Sequence, residues 1–160
     1  MSEPLFQAIC AQVEQCYQLA EQQLQRAFPR PNIAFNQRGQ AAGSAYLQRN
    51  QLRFNPILAR ANPEAFLQQV VPHEVAHLLV WHCYGKTKPH GLEWQRLMIQ
   101  LFGVTPTVRH SFDVSAVQPR TVAYRCQCQI HQLTIRRHNK LQRGQAQYQC
   151  RLCQSQLQLA

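Results

Sequence analysis

The 160-residue chain is poor in acidic side chains and has no long apolar run. Asp and Glu together number 7 against 17 Lys and Arg, for a formal net charge of +10. No apolar stretch reaches the ~18 residues of a membrane span, and the start, MSEPLFQAICAQ, lacks the basic and apolar regions of a secretory signal. We therefore expect a soluble cytoplasmic protein with no membrane partner. Its positive charge favours polyanions such as nucleic acids as partners.

The cysteines do not form the even set that is typical of a disulfide-stabilised secreted domain. Their number, seven, is odd, and four of them cluster near the C-terminus, namely Cys126, Cys128, Cys150 and Cys153. Such close spacing suits a metal site in a reducing compartment better than a disulfide framework. The sequence also shows no internal repeat.

The pattern of apolar residues predicts an α+β fold in two parts. Helical spacing over 3–28, from Pro63 to about 83 and over 91–102 predicts three main helices. Alternating residues within 33–55 predict a small antiparallel sheet of two or three short strands. From about residue 105 the sequence becomes polar and basic, with β-like stretches. We therefore predict a first domain over 1–105, and a linker with a small β module over 106–160.

The stretch VVPHEVAHLLV places two histidines four residues apart on the second predicted helix. His73 and His77 would lie on one face, one turn apart, where both imidazoles can reach a single ion. Glu74 follows about 100° round the helix, close enough to contact a water molecule at that ion. This is the HExxH motif of zinc metalloproteases, in which the glutamate is the general base. The flanks are apolar, so a bound metal would offset the several kcal/mol needed to bury these side chains.

The third ligand of this site has two candidates. A metzincin would have Gly at 80 and His at 83, but this chain has Val80 and Cys83, which excludes that class. His90 follows a turn-forming stretch, CYGKTKPHG, that can bring the chain back to the site, and it is favoured over Glu93. Donors to a developing oxyanion are not identified by the pattern, and Tyr84 and His110 are candidates.

The C-terminal cysteines have the spacing of a zinc ribbon. A Cys-x-Cys-x-x-His group is followed, after a gap with strand-like pieces and a Gly turn, by Cys-x-x-Cys. The favoured ligand set for a structural zinc ion is all thiolate, from Cys126, Cys128, Cys150 and Cys153. His131 in place of Cys126 or Cys128 is the alternative. So short a module is not expected to fold without a metal.

Positive charge is concentrated in the same region. Residues 106–160 contain one acid, Asp113, and the stretch TIRRHNKLQR lies between the two cysteine groups. Phosphate contacts are predicted for the basic side chains of this stretch, namely Arg136, Arg137, Lys140 and Arg143. His138 and Tyr148 are candidate stacking groups for bases.

The stretches AGSAYL, LRFNP, VVPHEVAHLLV, PHGLEW, YRCQC, TIRRHN and YQCRLC together resemble the SprT-like family across nearly the whole chain. That family includes the eukaryotic protease Spartan. The resemblance implies a zincin-like minimal metalloprotease core and a zinc-dependent protease that degrades proteins crosslinked to DNA, in DNA–protein crosslink repair. It implies zinc ligation by His73, His77 and His90, with Glu74 as the catalytic residue. The first cysteine group, Cys-x-Cys, departs from the family pattern of Cys-x-x-Cys.

These observations predict a zinc metalloendopeptidase with one catalytic and one structural zinc ion. Its expected partners are protein substrates and DNA, either single-stranded or containing junctions. The alternative is a non-enzymatic nucleic-acid-binding protein in which both zinc ions are structural. A protease that is active only in the presence of DNA is a third hypothesis.

Overall fold

A computed structural model describes residues 3–160, which form two compact units that divide between Val117 and Gln118. The division lies later than the boundary of 105/106 expected from the sequence. Three apolar residues of the intervening stretch, Phe112, Val114 and Val117, pack against the core of the first unit. Burial of these side chains therefore keeps residues 106–117 with the first unit, although the stretch is polar overall.

The first unit contains five helices and a three-stranded sheet among the described residues. In chain order these are α1 (Pro4–Leu24), β1 (Asn32–Ala34), β2 (Gly43–Tyr46), β3 (Gln51–Phe54), α2 (Pro56–Ala61), α3 (Pro63–Ala65), α4 (Val71–Tyr84) and α5 (Leu92–Arg96). Wider, π-helical turns over Phe66–Val70 join α3 to α4, and similar turns over Leu97–Leu101 extend α5. Helical structure thus runs from Pro63 to Tyr84, and Pro72 is accommodated in the first turn of α4.

Helix α1 forms because its apolar residues return at helical spacing. Its buried side chains are Ile9, Val13, Cys16, Tyr17 and Ala20, which lie on one face. The helix ends at Leu24, before the prolines of the FPRPN stretch, and the next residue, Gln25, has a left-handed backbone.

Asn55 starts a helix, α2, that the sequence analysis missed. Its side-chain oxygen accepts hydrogen bonds from the backbone N–H groups of Ile57 and Leu58, and Pro56 occupies the first helical position. The side-chain amide donates to the carbonyl oxygens of Gly39 and Ala41. Asn55 is 1% exposed, so these bonds satisfy a polar group inside the core.

The sheet corrects the prediction that its strands are all antiparallel. Its order is β1-β3-β2; β2 and β3 form an antiparallel hairpin across the short helical turn Leu47–Arg49, whereas β1 pairs with β3 in parallel. The hairpin occupies one edge of β3 and leaves the other for β1. The loop over 35–42 then carries the chain past β3, and β2 remains an edge strand.

Helix α4 lies at the centre of the first unit, where it contacts α1, β2 and α5. Eight of its residues are buried, and among them Val75, Leu78 and Leu79 are fully enclosed. An apolar helix surrounded on several sides is rigid, because each side chain is held by close-packed neighbours. Side chains on its remaining face are therefore presented in fixed positions.

The second unit has a small sheet and one helix. Its elements are β4 (Thr121–Arg125), β5 (Ile130–Thr134), α6 (Ile135–Gln142) and β6 (Gln158–Leu159), with β4 between β5 and β6 in an antiparallel sheet. The core is formed by Tyr124, Leu133, Cys150 and Leu157. Helix α6 corrects the prediction of an all-β module: the stretch RRHNKLQ contains no β-branched residue, and Arg, Lys, Leu and Gln are good helix formers.

No helix among residues 3–160 is both long enough and apolar enough to span a membrane.

Candidate metal centres

Three histidine side chains of the first unit converge on one point. His73 and His77 project from the same face of α4, and His90 comes from the turn before α5. The Nε2 atom of His90 lies 3.1 Å from Nε2 of His73 and 3.1 Å from Nε2 of His77. Glu93, the other candidate for the third position, is not part of this group of three.

The turn that presents His90 has an unusual backbone. His90 has φ of 56°, in the left-handed region that residues other than glycine seldom adopt. The N–H of Gly91 donates to the carbonyl of Lys88, and the side-chain amide of Gln95 donates to the carbonyl of His90. These bonds hold His90 in the strained conformation that points its imidazole at the other two. Strain of this kind is often found at functional sites.

The chemistry of the histidine group fits a metal ion. A nitrogen that carries one proton or one lone pair makes one good hydrogen bond, so hydrogen bonding alone does not account for two contacts at Nε2 of His90. Tetrahedral Zn²⁺ with Zn–N bonds of ~2.0–2.1 Å separates its ligand nitrogens by about 3.3 Å, and the observed separation is 3.1 Å. These three side chains could therefore bind a metal ion, and their nitrogen donors suggest zinc.

Burial also keeps these imidazoles in the form that binds metal. Loss of solvation, followed by repulsion from His90, lowers the pKa of His73 to about 4, while a hydrogen bond with the Thr107 backbone opposes this shift. Loss of solvation and the neighbouring histidines lower the pKa of His77 to about 3. Both rings are therefore neutral at pH 7, as metal ligation requires.

Glu74 is a buried carboxyl group beside the histidines. The residue is 7% exposed, and burial raises its pKa to about 8. Its side chain lies against Gly43 at the start of β2: a Cβ atom added at Gly43 would lie 2.7 Å from Cγ and 2.9 Å from Oε1 of Glu74. A dication held by the adjacent histidines would favour the charged carboxylate and lower this pKa.

The histidines and Glu74 open into a cleft of about 940 Å³ within the first unit. One side of the cleft is formed by residues of the edge strand β2, Gly43, Ser44 and Ala45. His110 also lines it, with Nε2 3.1 Å from the carbonyl oxygen of Gln40. Tyr84, the other candidate oxyanion donor, is 61% exposed at the end of α4 and is not among the lining residues.

Sequence reasoning missed Trp94 as part of this site. The indole is 1% exposed and packs against the rings of all three histidines. Its position four residues after His90, in the stretch HGLEW, was the available signal. A tryptophan at helical spacing from a ligand can equally be a core residue, so the pattern alone did not assign it a role.

The four C-terminal cysteines converge in the second unit. Their sulfur atoms all lie within 4.8 Å of one another, with 3.4 Å from Cys126 to Cys128 and 3.6 Å from Cys128 to Cys150. Tetrahedral Zn²⁺ with Zn–S bonds of ~2.3 Å separates its sulfurs by about 3.8 Å. The Cys-x-Cys spacing thus brings both of its thiols to the group, which could bind a metal ion and again suggests zinc.

Hydrogen bonds to the sulfurs also fit a metal-thiolate site. The backbone N–H of Leu152 donates to Sγ of Cys150, and bonds from the backbone of Cys153 and Leu152 lower the pKa of Cys150 to about 5. His131, the alternative ligand, has Nε2 3.3 Å from Sγ of Cys126 and lies outside the group of four. It therefore lies against the sulfur of a candidate ligand, Cys126.

The basic residues predicted to contact phosphates lie on or just after α6. Arg136, Lys140 and Arg143 are exposed and follow one another at helical spacing. The guanidinium of Arg137 lies over the ring of Tyr148, 5.9 Å from its centroid. His138 points the other way: its Nδ1 is 2.9 Å from the hydroxyl oxygen of buried Tyr124. His138 therefore docks α6 on the sheet, which conflicts with its expected role in stacking on bases.

Comparison with known proteins gives a consistent picture. Residues 13–110 match the model of the SprT-like family. "Protein SprT" of Shewanella oneidensis is 53% identical over 96% of this chain and 99% of its own. "Protein SprT" of Vibrio parahaemolyticus is 52% identical over 89% of this chain and 86% of its own. "Protein SprT" of Yersinia pestis is 47% identical over 96% and 91%, respectively. No solved structure matches the chain.

The fold and the two sites define a small protein of mixed helices and sheets with a three-histidine group and a four-cysteine group, each able to bind a metal ion. The chain belongs to the SprT-like family.

Proposed function

We propose that the protein is a zinc-dependent metalloendopeptidase with a zincin-like core, and that it acts on proteins bound or crosslinked to DNA. The observation that carries the proposal is the position of the His90 Nε2 atom, 3.1 Å from the Nε2 atoms of both His73 and His77, beside a buried glutamate in an open cleft. Membership of the SprT-like family supports a metallopeptidase. In a purely structural zinc site, the cleft and the adjacent carboxyl group would serve no purpose.

Zinc would be held by His73, His77 and His90. When bound, it would act as a Lewis acid towards the substrate carbonyl and make water more acidic. The three histidines supply three of the four ligands usual for zinc, so one position is left for water or substrate.

Glu74 is the proposed general base and then the general acid. Its carboxylate takes a proton from the attacking water and delivers it to the leaving amine as the peptide bond breaks. Burial raises the pKa of this carboxyl in the metal-free site and a bound dication would lower it again, which suits a group that must both accept and release a proton near neutral pH.

The edge strand β2 is the proposed binding site for the substrate backbone. It lies at one edge of the sheet and lines the cleft beside Glu74. An extended peptide can pair with such an edge through main-chain hydrogen bonds, which recognise any sequence in extended form. An unfolded or flexible protein segment is therefore the proposed substrate.

DNA is the proposed second partner, bound through the second unit. The exposed basic residues of α6 present positive charge that phosphates neutralise, and the four-cysteine group stabilises the fold around them. These features would serve equally in a non-enzymatic nucleic-acid-binding protein. Glu74 distinguishes the two functions, because binding alone does not need it.

Glu74→Gln tests the proposal. The variant should retain the zinc content and thermal unfolding temperature of the wild type, while cleavage of a DNA-bound test protein falls by at least about 100-fold. Parallel assays with and without single-stranded DNA report whether activity requires the nucleic acid. His73→Ala is the control that should lose cleavage and the zinc ion of the histidine site, while keeping the zinc ion of the four-cysteine site. Undiminished cleavage by Glu74→Gln would refute the mechanism.

A further inference from the structure

Trp94 occupies a distinctive position behind the three histidines. Its ring centroid is 4.8 Å from that of His73, 5.6 Å from His77 and 4.7 Å from His90. The ring is nearly parallel to His77, at 22°, and meets His90 edge to face, at 84°. One rigid side chain therefore restricts the orientation of all three imidazoles.

The only polar atom of the Trp94 side chain, Nε1, also makes a hydrogen bond within the site. Nε1 donates a hydrogen bond to the backbone carbonyl of His73, with a distance of 3.3 Å. This bond joins α5 to α4 at the residue that bears one of the imidazoles. The next residue along α5, Gln95, holds the carbonyl of His90 at 3.0 Å. Neighbouring side chains of α5 thus fix the backbones of two of the three histidines.

We propose that Trp94 is a positioning residue that sets the affinity of the histidine group for its metal ion. The inference rests on the proposed function only in that the three histidines hold an ion. Any buried indole N–H needs an acceptor, so the observation that separates Trp94 from a residue that merely fills the core is the contact of its ring with all three histidine rings. Because the indole orients the rings before the ion arrives, ligation costs less conformational entropy.

The first step tests whether the three histidines bind a metal ion, using Co²⁺ to quench the fluorescence of Trp94. The chain has two tryptophans, and Trp81→Phe leaves Trp94 as the only one. Co²⁺ added to the metal-free Trp81→Phe protein should quench the Trp94 fluorescence, and His73→Ala in the same background should abolish the quenching. Absence of quenching in the Trp81→Phe protein would refute both the histidine metal site and the role of Trp94.

The second step measures zinc affinity by competition with a chromophoric chelator. Trp94→Phe keeps an aromatic ring but loses the N–H donor, and Trp94→Leu loses both. We expect the zinc affinity of the histidine site to fall by about 10-fold in Trp94→Phe and towards 100-fold in Trp94→Leu, the range found when groups that support metal ligands are removed. Trp81→Phe is the matched control and should bind zinc as the wild type does.

The four-cysteine site provides an internal reference within each variant. Its affinity should be unchanged, and the first unit of metal-free Trp94→Phe should remain folded at the temperature of the measurement, although the smaller ring lowers its stability. Wild-type zinc affinity in folded Trp94→Phe and Trp94→Leu would overturn the role of Trp94 while leaving the proposed protease intact. Equal loss of affinity at both sites would also overturn it, because the effect would then be global.

Discussion

Among single residues, Gly43 has a direct effect on the site, because its lack of a side chain controls the position of Glu74. It begins β2 directly against the Glu74 side chain, and an added Cβ would lie 2.9 Å from the carboxyl oxygen Oε1. Real Cβ atoms do not approach other atoms so closely, so the flexible end of Glu74 would have to move. The absence of a side chain at position 43 is therefore what permits the carboxyl group to lie where it does.

Gly43→Ala should reduce catalysis without removing the metal. If Glu74 is the general base, displacement by ~1 Å should lower the cleavage rate by about 100-fold, with zinc content unchanged. Cleavage kinetics and metal analysis of the purified variant test this expectation.

Gly39→Ala is the matched control for Gly43→Ala. Gly39 has φ of 76° and open space around it, so an added methyl group strains the backbone without touching Glu74. This control should lower stability but leave the cleavage rate of the folded protein near that of wild type. Full activity in Gly43→Ala would show that Glu74 is not held by this contact.

Local spacing predicted a large part of the histidine group. His73, Glu74 and His77 follow from helical geometry, and the turn after α4 indicated His90 in preference to Glu93. The contact of Gly43 with Glu74 could not be predicted, because it joins residues far apart in sequence, and the spacing of Trp94 from His90 did not reveal the packing of α5 against α4 on which its contacts depend. The left-handed backbone of His90 was equally hidden, since the residue type does not favour it.

Among the secondary structure elements, helix α6 has two chemically distinct faces. His138 and Gln142, one turn apart, both reach the hydroxyl group of buried Tyr124. Arg136 and Lys140, also one turn apart, are exposed. The inner face therefore fixes the helix on the sheet, while the outer face is free to contact phosphates.

Charge reversal on the outer face should weaken DNA binding. The double variant Arg136→Glu and Lys140→Glu should have lower affinity for single-stranded DNA, and the slope of log K against log salt should decrease by about 0.7 for each phosphate that the variant no longer neutralises. Titrations at several salt concentrations measure both quantities. Zinc content should not change, because neither residue contributes to the cysteine group.

The matched control reverses two exposed arginines of the first unit, Arg49 and Arg96, which gives the same change in net charge. It should alter DNA affinity much less. Equal reductions in the two double variants would show that binding depends on net charge rather than on α6.

Helix α6 and strand β1 differ from their predictions, and helix α2 was not predicted. The cysteine pattern around the stretch after Thr134 suggested a β module, although the residues of that stretch favour a helix. The strand β1 was expected to be antiparallel, but the pairing partner of a short strand depends on which sheet edge is free. Helix α2 was detectable, since Asn55 before Pro56 has the same signature as Asn62 before Pro63.

Within the whole molecule, the two units differ greatly in the size of their hydrophobic cores. The first unit buries most of α4 together with side chains from α1, α2 and α5. The second is organised around four buried residues, and one of these, Cys150, belongs to the candidate metal group. So small an apolar core does not hold a folded structure without an added crosslink or metal.

Removal of metal should therefore affect the two units unequally. Treatment with a strong chelator should abolish hydrogen-exchange protection in β4 and β5, while α1 and α4 remain protected. Mass spectrometry of exchanged peptides resolves the two responses. Cys150→Ser should reproduce the loss in β4 and β5, and His73→Ala should not. Protection that persists in β4 and β5 after complete metal removal would contradict this account.

The three histidines come from two different elements, and this suggests the order in which they would bind and release a metal ion. His73 and His77 lie on one helix that is packed in the core, so a metal ion bound here would find these two donors already in place. His90 lies on a turn with a left-handed backbone and would be the third ligand. Opening of that turn would then be the first step in metal release, so the rate at which His90 dissociates should govern the residence time of a bound ion.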